Sequence, residues 1–130
     1  MRIHYLQHVP FEDLANIGVW AKEKSHSITR TQLFNEESLP NMNEFDWLII
    51  MGGPMNIYEE DEYPWLSREK EFISQAIANK KIVLGICLGG QLIADVLGRK
   101  VTGNESVEIG WFPVKLTSDS KRSTCFGTFP

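Results

Sequence analysis

The sequence is poor in cysteine. Only Cys87 and Cys125 occur in 130 residues, too few for the disulfide framework of a small secreted domain. There is no C-x-x-C pair and no Cys/His cluster, so no zinc site is expected. Excess positive charge is absent as well. A formal net charge of −4 speaks against nucleic acid or an anionic membrane as the main partner, since both attract basic surfaces. No run of about 18 apolar residues is present to form a membrane-spanning helix. The N-terminal "MRIHYLQHVPFEDL" lacks the long apolar core of a secretory signal, and the expected location is cytoplasmic. Internal repeats and low-complexity tracts are also lacking. No G-x-x-x-x-G-K-[ST] loop is found, so nothing indicates a nucleotide, and no cofactor is expected.

What remains is ordinary globular composition, 42% hydrophobic and 23% charged, consistent with one domain over residues 1–130. "RIHYLQ" (2–7) reads as a first strand. In 11–24, Phe11, Leu14, Ile17 or Gly18, and Ala21 recur at helical spacing. "SITRTQL" (27–33) is short and β-branched, a second strand. The apolar runs "WLIIM" (47–51) and "IVLGIC" (82–87) suit strands buried on both faces of a parallel sheet. Between them, Leu66, Phe72, Ile73, Ala76 and Ile77 mark one face of a helix that starts after Pro64 and ends at Asn79. Residues 88–97 read as a further helix, with Leu92, Ile93, Val96 and Leu97 on one side and Gly98 as its stop. "KVTG" (100–103) and "VEIGWFPVKLT" (107–117) read as strands, with Pro113 implying a bend or an edge. Alternation of this kind predicts an α/β fold, a three-layer sandwich around a mostly parallel, doubly wound sheet.

The stretch "GICLGGQ" (85–91) carries chemistry. Cys87 ends a buried strand and a helix begins at once. Such a turn lifts a side chain off the sheet's C-terminal edge and crowds the positions two before and two after it. Gly85 and Gly89 occupy those positions. The positive end of a helix favours a thiolate, and the first helical N–H groups lack intrahelical partners. The Leu88 N–H can therefore donate to a developing oxyanion. "MGGP" (51–54) follows the other buried strand, so its glycines meet the same sheet edge, and Gly53 N–H is the expected second donor. The competing reading is an inert core thiol at a tight turn. "EEDE" (59–62) reads as a solvated loop rather than a metal site. Tyr63 and Trp65 read as anchors for that loop, Asp95 as solvent-facing and Cys125 as incidental.

Three blocks in order, "DWLIIMGGPMNIYEEDEYPWL" (46–66), "GICLGGQ" (85–91) and "VEIGWFPV" (107–114), resemble the class I glutamine amidotransferases. The likeness is greatest to the stand-alone proteins similar to the amidotransferase domain of GMP synthase. The resemblance implies a flavodoxin-like fold and L-glutamine as substrate. The Cys87 thiolate would attack the side-chain amide, ammonia would leave, and water would hydrolyse the glutamyl thioester. It also implies that Gln91 touches substrate, that Ile109, Gly110 and Trp111 offer backbone to glutamine's amino-acid end, and that a synthetase or acceptor domain uses the ammonia. Family members complete the site with a His and a Glu two residues apart near the domain's C-terminus. No His-x-Glu occurs here, so the C-terminal part of the domain is expected to be missing. Self-association to cover the exposed surface is then expected. Two alternatives stay open: a non-catalytic domain that binds glutamine or a partner chain, and a DJ-1/PfpI-like protein. The second would place a Glu beside the Cys at the end of an early strand, where this chain has Gln7 and His8.

Overall fold

A computed structural model of the chain describes residues 1–124. Cys125 lies outside the described residues. Four strands form one parallel sheet: β1 (Arg2–Gln7), β2 (Ser27–Gln32), β3 (Trp47–Ile50) and β4 (Ile82–Gly85). Their spatial order is β2-β1-β3-β4, that of the flavodoxin-like doubly wound sheet. Three α-helices connect or follow the strands: α1 (Ala15–Glu23), α2 (Trp65–Ala78) and α3 (Leu88–Val96).

The two sheet faces build two cores. On one side Leu6, Leu48 and Ile50 meet Leu66, Phe72, Ile73 and Ala76 of α2 and Leu88 and Leu92 of α3. On the other, Ile3, Tyr5 and Ile49 meet Leu14, just before α1, and Ala21 of α1. Helices thus lie on both faces of a parallel sheet, the three-layer α/β arrangement expected from the alternating pattern. The chain changes sides between β1 and β3, and the loops leaving those strands open a crevice at the sheet's C-terminal edge.

Four expectations are corrected. The first helix begins at Ala15 rather than Phe11. Asp13 Oδ1 accepts the Ala15 N–H at 2.8 Å, and Ala15 has φ +42°, a left-handed step that a right-handed helix can hold at its end but not in its interior. Phe11 is therefore solvent-exposed instead of lying on a helical face. Second, β4 is an edge strand, not one buried on both faces. Ile82 and Leu84 stay exposed because α1 covers only the other strands. Third, no strand follows β4 among the described residues. Residues 100–103 and 107–117 find no pairing partner, and Val107, Ile109, Trp111 and Val114 project into solvent. Leu97 is likewise exposed, beyond the end of α3. Finally, Asp95 does not simply face solvent. It pairs with Lys70 of α2 at 3.1 Å, and the same ammonium reaches Glu60 at 2.7 Å. Glu60 also accepts from Ser67, which ties the acidic loop to α2.

His4 of β1 gives the fold a pH dependence. Its ring is buried, with Nδ1 at 2.8 Å from Thr29 Oγ1 and Nε2 at 3.1 Å from Thr31 Oγ1. A neutral imidazole has one donor and one acceptor, and hydroxyls satisfy either. Burial pushes the ring's pKa down from 6.5 to about 4, against a smaller opposing attraction from Glu44. In the window between those values the unfolded chain binds a proton that the folded chain refuses. The stabilisation is therefore complete above about pH 6.5 and gone below about pH 4, a loss of about 3 kcal/mol. Urea unfolding at stepped pH should show this slope, and His4→Gln should flatten it. Equal slopes in the two proteins would rule it out.

Candidate active site

The site grows from backbone geometry. Cys87 stands at the N-cap of α3 with φ +53° and ψ −108°, a region side-chain-bearing residues rarely occupy. The turn holds the thiol side chain exposed at the sheet edge. The flanking glycines explain how so sharp a turn fits. A Cβ on Gly85 would run into the Gly89 carbonyl group and stand 2.5 Å from Gly90 N, and one on Gly89 would run into the Ile50 carbonyl oxygen. Helix α3 therefore leans with its backbone directly against β3, and only glycine permits that approach.

The Gly52–Gly53 corner lies against the same turn. A Cβ on Gly52 would be 3.6 Å from Cys87 Cβ, and one on Gly53 would be 3.1 Å from Leu88 Cδ2. Two segments 35 residues apart in sequence thus meet, and Gly53, Cys87 and Leu88 are brought together. Neither the Gly53 N–H nor the Leu88 N–H donates to an acceptor among the described residues. Gln91 is one turn further along α3 and lines a groove of about 310 Å³ with Pro54, Met55, Asn56, Tyr58 and Val101. Ile109, Gly110 and Trp111 do not line this groove and are exposed to solvent.

Four further residues join this corner, directly or through a neighbour, and none of them was expected there. The Glu12 carboxylate fills the space a Gly52 side chain would need, with Oε2 2.5 Å from the position of that absent Cβ. His8, just after β1, is fully buried, with Nδ1 2.9 Å from the Gly52 carbonyl oxygen and Nε2 2.8 Å from Glu69 Oε1 of α2. Trp65 packs on the His8 ring with centroids 5.5 Å apart, so it anchors the site as well as its loop. No local pattern joins His8 to Glu69, which lie 61 residues apart. The available signals were indirect: a histidine directly after a buried strand, and an acidic residue on the apolar face of α2.

Comparison with known proteins agrees with this architecture. The sequence profile of the family described as glutamine amidotransferase class-I matches residues 14–127. A glutamine amidotransferase-like protein of Salmonella typhimurium is 35% identical over 133 residues, an alignment covering 99% of this chain and 56% of that protein. A GMP synthase (glutamine-hydrolyzing) of Tolumonas auensis is 33% identical over 105 residues, covering 81% of this chain and 17% of the enzyme. Among solved structures, a glutamine amidotransferase from Thermotoga maritima superposes with a TM-score of 0.91 at 34% identity, covering all of this chain and 56% of that one. The chain thus spans about half the length of the Salmonella relative and of the Thermotoga structure. On the profile match and the shared fold together, the chain belongs to the class-I glutamine amidotransferase family.

Proposed function

We propose that the chain carries the glutamine-binding and acyl-transfer half of a glutaminase site. Cys87 is the nucleophile, and the N–H groups of Gly53 and Leu88 form the oxyanion hole. Gln91 contacts glutamine in the groove beside α3, and the family resemblance, rather than the groove lining, assigns the backbone of Ile109 to Trp111 to its amino-acid end. The thiolate sulfur adds to the side-chain amide carbon, the oxyanion collapses, and ammonia leaves with a proton. Water then cleaves the thioester to give glutamate. The carrying observation is the exposed Cys87 at a strained helix N-cap against the Gly52–Gly53 corner. Backbone donors aimed at a developing negative charge are worth about 10²–10³ in rate each.

The 130 residues hold three histidines. His4 and His8 are buried with both ring nitrogens engaged, and the His26 Nδ1 meets the chain's amino terminus. The base that deprotonates the thiol and activates water is thus not supplied by these side chains, and the family resemblance assigns it to a His-x-Glu pair. The ammonia passes to a synthetase or acceptor-domain partner whose own substrate takes it up, a reading supported by the GMP synthase relative. A nucleophilic thiol functions best where it stays reduced, which supports a cytoplasmic location.

The test is incubation with the diazoketone analogue of glutamine, read by intact mass and peptide mapping, beside a glutaminase assay. One adduct at Cys87 is expected, with turnover far below that of a site holding a complete Cys-His-Glu set. Labelling with no turnover at all favours the non-catalytic glutamine-binding alternative. Absence of labelling overturns both.

A further inference from the structure

The His8–Glu69 pair has no place in the chemistry above, yet it is among the most enclosed polar groups in the fold. Both side chains are fully buried. The partner of His8 Nδ1 is a carbonyl oxygen, which only accepts, so Nδ1 carries the hydrogen and donates to Gly52. Nε2 faces Glu69 Oε1, and Glu69 Oε2 is buried with no partner among the described residues. One proton lies between His8 Nε2 and Glu69 Oε1. On either atom it leaves the ring's other edge donating to Gly52.

That bond acts on the neighbouring residue through covalent geometry. The Gly52 carbonyl and the Gly53 N–H belong to one peptide plane. The bond is trans, so the two groups point in opposite directions. Holding the carbonyl toward His8 aims the N–H away from it. Glycine on both sides of the plane offers little steric resistance to rotation, so the orientation needs an external hold. The bond also polarises the amide and strengthens its N–H as a donor.

We propose that His8 and Glu69 are positioning residues that lock the Gly52–Gly53 peptide so that its N–H points into the oxyanion site. The proposal rests on the reading of Gly53 as an oxyanion donor. Glu69 fixes the ring, and Trp65 packs against it at a tilt of 31°. The assembly is built from the residue that follows β1 and from α2, segments that contribute no reacting group.

The deciding variant is the double substitution His8→Phe with Glu69→Met. It removes the donor without stranding a buried charge, because replacing both partners by apolar groups is far milder than removing one. Three quantities are compared with the wild type: the rate of Cys87 labelling by the glutamine diazoketone, its alkylation by iodoacetamide, and the Gly53 amide resonance in ¹⁵N-glycine-labelled protein. Iodoacetamide forms no oxyanion and reports only thiol access and ionisation. The expected result is a ~10- to 100-fold drop in diazoketone labelling, alkylation unchanged within about threefold, and a displaced or broadened Gly53 resonance. Glu69→Gln should keep all three near wild type, since its amide donates to Nε2 and leaves Nδ1–H on Gly52.

Equal falls in both labelling rates, or no fall in either, overturn the proposal. If the wild type itself resists the diazoketone, the glutamine reading fails, and the resonance decides alone: unmoved overturns the lock, moved supports it. If the double variant does not fold, Glu69→Gln decides. Labelling retained within about threefold supports the lock, and a tenfold loss overturns it.

Discussion

Gly89→Ala is expected to destabilise the fold by about 3 kcal/mol or more. The same change in an ordinary helix would stabilise by roughly 0.5–1 kcal/mol, because alanine loses less backbone freedom on folding. Position 89 reverses the sign. An added methyl would meet the Ile50 carbonyl oxygen and lie 2.8 Å from both the carbonyl carbon and Cβ of that residue. These are atoms of a central strand hydrogen-bonded on both sides, so neither can move without disturbing the ladder. The adjacent residue supplies the control. At Gly90 a Cβ meets only the Gly85 carbonyl oxygen at 3.7 Å, an ordinary contact, and Gly90→Ala should stabilise by up to about 1 kcal/mol. Urea unfolding of the two variants measures the contrast. Equal effects would mean that α3 does not rest its backbone on β3.

Cys87→Gly should separate folding from chemistry. The residue is held at φ +53° and ψ −108°, and such conformations cost a non-glycine residue about 1–3 kcal/mol. Glycine relieves that strain but adds about 0.5–1 kcal/mol of unfolded-state freedom. The net expectation is a gain of about 1 kcal/mol in unfolding free energy, measured by urea titration, together with complete loss of diazoketone labelling. Cys87→Ala keeps the strain and loses only the sulfur, so it should label no better and be no more stable than the wild type. A Cys87→Gly protein less stable than Cys87→Ala would show that the turn is not strained.

The local geometry of the candidate site was legible because its signals are local. Gly85 and Gly89 flank Cys87 at the spacing a strand-to-helix elbow needs, and the run 47–51 announced a buried strand ending in a glycine corner. The inner face of α2 read correctly for a similar reason: Leu66, Phe72, Ile73 and Ala76 lie within a single helix. What escaped depends on the tertiary arrangement. Nothing near His8 indicates Glu69, and Glu12 reaches the corner only because the chain refuses to turn helical until Ala15. Residues 107–117 have strand-like composition, but a strand exists only where a neighbour offers its hydrogen bonds. The half-exposed β4 was misread for the same cause, since hydrophobicity does not say which strand forms the edge.

The placement of Cys87 just after β4 has a bearing on biosynthesis. A ribosome delivers this chain from its amino terminus, so β1, β2 and β3 emerge before the cysteine does. The bend that presents the sulfur depends on the Ile50 carbonyl surface and on the Gly-Gly corner, both already made by then. A nascent or misfolded copy has neither support, so its Cys87 is not held in that bend. The strained, exposed elbow at Cys87 therefore forms only on molecules in which β3 has already taken its place in the sheet.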